Sequence, residues 1–170
     1  MKPFKAMADA MGMDDETWLR HANPWSVWTR FIILPLMALA IWARIWLGWW
    51  SLALVVVLAV WTRYNPRAFS APKSTKSWSS RAVMGERVWL ARKVTPIPSH
   101  HAKAAIVFSS LASVGMPFMV YGLWVLDFWP SFIGVVLILV FKMWFLDRMV
   151  WLYNDMASEV PEYADRKSVV

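Results

Sequence analysis

Charged side chains along this chain fall in clusters, and four stretches between the clusters carry none: 31–43, 45–62, 104–126 and 128–141. Apolar runs of that length without charge are the signature of helices that cross a lipid bilayer. A crossing needs about 20 residues, or fewer when flanking cations snorkel to the surface. The pattern therefore predicts helices over 25–46, 48–64, 103–126 and 129–153. A single helix over 31–62 would be too long for one crossing, and Arg44 and Gly48 mark a tight turn inside it. "LDFWP", 126–130, marks a second turn, with Pro130 tolerated in the first turn of the helix that follows. The fold class predicted is all-α and polytopic: four transmembrane helices in two hairpins, with a short interfacial amphipathic helix in the central loop.

The polar segments set the orientation. The segment 63–103 carries Arg63, Arg67, Lys73, Lys76, Arg81, Arg87, Arg92, Lys93 and Lys103 against one acid, Glu86. More cations lie before Arg30 and after Arg148, while Arg44 stands alone on the other side. The positive-inside rule then puts both termini and the central loop in the cytoplasm, in a multi-pass protein of the cytoplasmic membrane. The parts are a cytoplasmic or interfacial segment 1–24, a first hairpin 25–64, a basic loop 65–102, a second hairpin 103–153 and a cytoplasmic tail 154–170. Trp25, Trp28, Trp61, Trp144 and Trp151 fall at the inner interface, and Trp46, Trp49, Trp50, Trp124 and Trp129 at the outer one, the two levels that indoles prefer.

Within the loop, "SSRAVMGERVWLARKV" places Val83, Met84, Val88, Ala91 and Val94 on one face. Arg81, Arg87 and Arg92 lie largely elsewhere. Two environments fit such a helix: the interface over anionic lipid, or the ends of the spans. Trp25, Trp28, Arg30, Trp61, Arg81, Arg92 and Lys93 are the residues expected at the headgroups. The N-terminal segment is a second interfacial candidate, with Asp14 as its cap.

Within the spans, Ala105, Ser109 and Ser113 recur every four residues, a stripe that lets two helices approach closely. Pro35 and Pro117 predict kinks. Lys142 lies near enough to the inner surface to snorkel. No acid or histidine sits near the midplane, which argues against a proton relay, an ion pathway or a histidine-ligated haem. Gly-rich phosphate loops and nucleophile motifs are absent.

Composition adds two exclusions. The chain has 170 residues, is 59% hydrophobic, holds 14 Trp and has a net charge of +7. With no cysteine, disulfides, thiolate metal sites and thiol chemistry are ruled out. The start "MKPFKAMADAMGMDDETWLRHANP" has scattered charges and no early apolar core, unlike a signal peptide. The positive charge is expected to meet anionic headgroups rather than nucleic acid.

One set of polar residues could converge at the cytoplasmic rim: His21, Asn23, Glu86, Arg87, Asp147 and Arg148. Their types suit acid–base work or ion pairing, and two readings stand: a site, or a network fastening the loop to the bundle. His21, His100 and His101 are the metal-ligand candidates, without a diagnostic spacing; no metal and no cofactor is expected.

The motifs "HANPWSVWTRF", "RYNPRAF", "GERVW" and "FLDRMVWLYNDM" resemble an uncharacterised family of short prokaryotic integral membrane proteins, a domain of unknown function, over about residues 17–157. The resemblance implies a four-span fold and supplies no activity, substrate or cofactor. Each half of the chain also opens with histidine, holds a mid-helix proline and closes near Tyr-Asn, an echo compatible with duplication of a two-span unit. The functional expectation is a non-catalytic accessory or assembly subunit of a larger membrane complex or homo-oligomer. The alternatives are an enzyme acting on a lipid or amphiphile at the rim, and a tether holding a peripheral partner through the basic loop.

Overall fold

The structure is a computed structural model and describes residues 14–159. Among them every regular element is helical: α1 (Asp15–His21), α2 (Pro24–Trp42), α3 (Arg44–Leu47), α4 (Ser51–Ala68), α5 (Trp78–Leu90), α6 (Ser99–Val125) and α7 (Phe128–Glu159). Short 3-10 turns cover Gly48–Trp50 and Ala91–Lys93. The expectations for 1–13 and 160–170 lie outside the described residues.

Local signals explain most of the boundaries. The Asp14 carboxylate accepts from the Thr17 amide at 2.7 Å and starts α1. Hydrogen bonding from the Thr17 side chain, and then from its amide, holds the Asp14 carboxyl below the usual range. Asn23 is extended and accepts from the Trp25 amide at 2.9 Å, while Pro24 occupies the first helical position of α2. Gly48, at φ +52, makes the turn between α2 and α4, a conformation that costs a side-chain-bearing residue about 1 kcal/mol or more. Leu126 takes the left-handed conformation at the end of α6. Asp127 then donates its amide to the Gly122 carbonyl at 2.9 Å, and its side chain accepts from the Trp129 amide at 3.0 Å. Pro35 and Pro117 both lie within continuous helices.

Helix α4 runs past the expected end at 64 to Ala68, with Pro66 inside it. Helix α7 continues past 153 to Glu159. At 32 residues it is about 48 Å long.

Three helical stretches are long and apolar enough to cross a membrane: Pro24–Ala68, Ser99–Val125 and Phe128–Ser158. The first contains the break at Ala43–Trp50. Large apolar side chains on these stretches face outward all along, including Leu39, Val57, Val60, Val107, Val120 and Phe132.

The buried core sits at one end. It is built from Trp18 and Ala22 of the N-terminal part, Val27 of α2, Val83, Met84 and Val88 of α5, Ala105 of α6, and Phe145 to Ala157 of α7. Helices α1 and α5 cover this end, which makes it the capped end. At the opposite end Arg44 donates to the Leu123 and Trp124 carbonyls at 2.6 and 2.7 Å, pinning the α2–α4 turn to the last turn of α6.

Of the two environments open to α5 it takes packing on the other helices, not an outer surface: Ser79, Ser80, Ala82, Val83, Met84, Gly85, Arg87 and Val88 are all buried. Its small residues let it press directly on α7, so that a Cβ on Gly85 would overlap the Met149 carbonyl. One packing expectation is corrected: the close approach of α6 and α7 runs elsewhere than the serines. Gly115, Gly122 and Gly134 form it: a Cβ on Gly115 would lie 2.6 Å from the Gly134 carbonyl oxygen. Ala105 is fully buried, but Ser109 and Ser113 are exposed and donate their hydroxyls back to the Ala105 and Ser109 carbonyls of their own helix.

Candidate functional site

The "HANPW" junction carries a chain of hydrogen bonds that links α1, α2 and α4. His21 Nε2 meets an Arg30 guanidinium nitrogen at 3.0 Å, and His21 Nδ1 meets Ser26 Oγ at 2.9 Å. Ser26 Oγ lies 2.9 Å from Asn65 Oδ1, and Asn65 Nδ2 lies 2.8 Å from Thr29 Oγ1. The Thr29 hydroxyl reaches the Trp25 carbonyl at 2.6 Å.

The two ends fix every proton between them. A guanidinium only donates, so Nε2 accepts and the neutral ring carries its proton on Nδ1. Ser26 accepts from that proton and donates to Asn65. Asn65 donates to Thr29, which donates to a carbonyl that can only accept. Burial, the Arg30 charge and Lys142 all disfavour the imidazolium and outweigh Glu86, which favours it. The His21 pKa is pushed down to about 4.

Ser26 and Asn65 are fully buried. Ser26 is therefore a link in a structural chain rather than an exposed nucleophile, and both ring nitrogens of His21 are occupied. Asn23 supports the junction from the other side, donating Nδ2 to the Ser70 carbonyl at 2.9 Å. Ser26, Thr29 and Asn65 are the members that sequence reasoning missed. The one signal for Asn65 is the second Asn-Pro pair, "RYNPRAF", which reads as a turn but forms the last turns of α4.

Next to this chain lies a cavity of about 670 Å³ bounded by α1, α2, α5, α6 and α7. Its walls are apolar, with Phe31, Leu34, Val83, Ile138, Phe145 and Leu146 among them; its polar groups are His21, Arg30, Glu86, Lys142 and Ser109. Lys142 pairs with Glu86 at 2.6 Å. With His21 neutral, two cations face one carboxylate, leaving a net positive charge. Ser109 and Ala112 contribute small side chains to the wall, so part of the expected packing stripe borders open space.

The expected rim cluster is thus divided. His21 and Glu86 share the cavity. Arg87 is buried and pairs with Asp15, and Asp147 accepts from the Trp78 indole at 3.1 Å. Arg148 is exposed and lies over Trp151. Of the expected interfacial residues, Trp25 is exposed, and Trp28, though partly exposed, stacks on Trp78 at 5.9 Å. Trp61 meets Phe69 edge-on, Arg81 donates to Asn154, Arg92 covers Trp89 at 3.9 Å, and Lys93 is exposed. His100 and His101 lie apart from His21, beside Asp155.

Comparison with known proteins places this architecture in a family. The chain matches the Family of unknown function (DUF6653) over residues 4–169 and belongs to it. No curated protein and no solved structure matches the chain.

Proposed function

We propose that this member of a family without an assigned activity is a four-span protein of the cytoplasmic membrane that binds an anionic amphiphile in the cavity at its capped end. The cavity carries the reading. Its volume falls in the range of small-molecule sites, and such sites combine apolar walls with a few convergent polar groups. Arg30 and Lys142 suit one anionic headgroup, and the phenyl and aliphatic walls suit its chain.

Length supports the four spans. Helix α2 has 19 residues and α4 has 18, so each is about 27–29 Å long, against a hydrocarbon core of about 30 Å. In this reading α2 with α4 and α6 with α7 form two transmembrane hairpins. The basic capped end and both termini then lie in the cytoplasm. Single cysteines at Leu47 and Asp127 should react with an impermeant reagent outside intact cells, and one at Lys73 only after lysis.

The binding test is lipid analysis of the protein purified in mild detergent. One anionic amphiphile per chain should be enriched over the bulk membrane. It should be lost in Ser109→Trp, which fills the cavity from an exposed position, and in the double variant Arg30→Gln, Lys142→Gln. No enrichment in the wild-type chain would refute the reading.

A second reading, an accessory or assembly subunit of a larger membrane complex, is favoured by α4. Leu52, Leu54, Val56, Val57 and Val60 are exposed on it, and a partner helix would cover that face as well as lipid does. Cross-linking from cysteines on α4 in native membranes would separate the two coverings.

A further inference from the structure

We propose that His100, His101 and Asp155 form a binding site for a borderline divalent cation of the Zn²⁺ type, separate from the cavity. Each residue offers one donor atom, and the three atoms lie within 4.8 Å of one another. Adjacent histidines on a helix normally diverge, yet here the two rings come together, with centroids 4.1 Å apart and planes tilted by 40°. His101 is buried and its Nε2 already lies 2.8 Å from Asp155 Oδ2.

The site joins the first turn of α6 to the last turns of α7. The register between these helices is fixed by the backbone contacts at Gly115, Gly122 and Gly134. The His101–Asp155 pair is therefore held in place. His100 is exposed and Asp155 half exposed, which leaves an open path for an ion.

Two imidazoles and a carboxylate are a ligand set that Zn²⁺ accepts, with water in the fourth position. Bonds of about 2.0–2.1 Å place tetrahedral ligands roughly 3.4 Å apart. The pair at 2.8 Å must open slightly, and the exposed His100 must close in. The ion takes the place of the His101–Asp155 hydrogen bond: the neutral ring binds it through Nε2 and carries its one proton on Nδ1. The positive end of the α6 dipole opposes a cation here, so the negative charge of Asp155 is indispensable.

The test uses the full, untagged chain purified in detergent and stripped with a chelator. Zn²⁺ titrated calorimetrically should bind at one equivalent per chain and raise the melting temperature, and Co²⁺ should give the absorption bands of a low-coordinate site. His100→Ala should weaken Zn²⁺ binding by at least about tenfold without changing the metal-free melting temperature. Asp155→Asn, which keeps the shape and removes the charge, should abolish uptake. Absence of stoichiometric binding in the wild-type chain, or uptake unchanged in either variant, would overturn the site and leave His101–Asp155 as an ion pair alone.

Discussion

Gly85→Ala sets two known effects of opposite sign against each other. In an isolated helix, alanine gains about 1 kcal/mol over glycine. In this protein the added Cβ would overlap the Met149 carbonyl oxygen and also crowd the Met149 carbonyl carbon and Cα. These are backbone atoms of α7, so no side chain can rotate away and the two helices must part. Separation would loosen the contacts around Val83, Met84, Val88, Leu152 and Tyr153, all buried. Overpacking of this kind costs typically about 1–3 kcal/mol, occasionally more. Backbone overlap belongs at the upper end, and subtracting the helix gain leaves a net loss of roughly 2 kcal/mol. That is about a thirtyfold drop in the folded ratio. Denaturation in mixed micelles, followed by tryptophan fluorescence, measures it directly. Trypsin provides a second readout, since a released α5 exposes Arg81 and Arg87. A variant as stable as the wild type, or more stable, would show helix propensity acting unopposed and refute the docking of α5 on α7.

His21 predicts a pH dependence. Its folded pKa, about 4, lies below the ordinary 6.5, so between these values the unfolded chain binds a proton that the folded chain refuses. Its contribution is present above about pH 6.5 and is lost as pH falls toward 4, by up to roughly 3 kcal/mol; denaturation at several pH values should show a slope that His21→Leu lacks. The buried His21 ring bridges Arg30 and Ser26, and His21→Ala should cost about 1–3 kcal/mol at neutral pH. Asn65→Ala should cost a similar amount, about 1–3 kcal/mol, because it strands Ser26 and leaves Thr29 without its donor; an unchanged melting curve would contradict the ordered chain. Arg44→Ala removes two charge-assisted bonds at the opposite end and should lower stability by about 1 kcal/mol, with no effect on the amphiphile binding proposed for the cavity.

The long helices were legible because charge depletion is a local property of the sequence. The four uncharged runs fall on α2, α4, α6 and α7, though α7 continues 18 residues past the last of them, and Asp14, Asn23-Pro24 and Gly48 act through the chain next to them. What depended on distant partners was less legible. The apolar face of Val83, Met84 and Val88 has the same pattern whether lipid or α7 covers it. The deciding feature is Gly85, together with Ser79, Ser80 and Ala82, small residues that permit backbone contact and create no apolar stripe. Asn65 went unseen because Asn before Pro favours a turn, whereas the buried chain to Ser26 and Thr29 stabilises the helical alternative. Glu86 and Lys142 are 56 residues apart, and nothing in either neighbourhood announces the other.

The buried cap imposes an order of assembly on the nascent chain. Its apolar centre draws on Trp18 and Ala22, on Val83, Met84 and Val88, and on Phe145 to Ala157, which are made early, midway and late. Helices α2 and α4 can pair as soon as they leave the ribosome, but α5 must wait for the α7 backbone on which Gly85 packs. Throughout that interval α5 has an apolar face with no partner, a state prone to off-pathway association. Arg81 and Arg87 are then the groups on α5 that hold water around the waiting helix until Met149 arrives to receive Gly85.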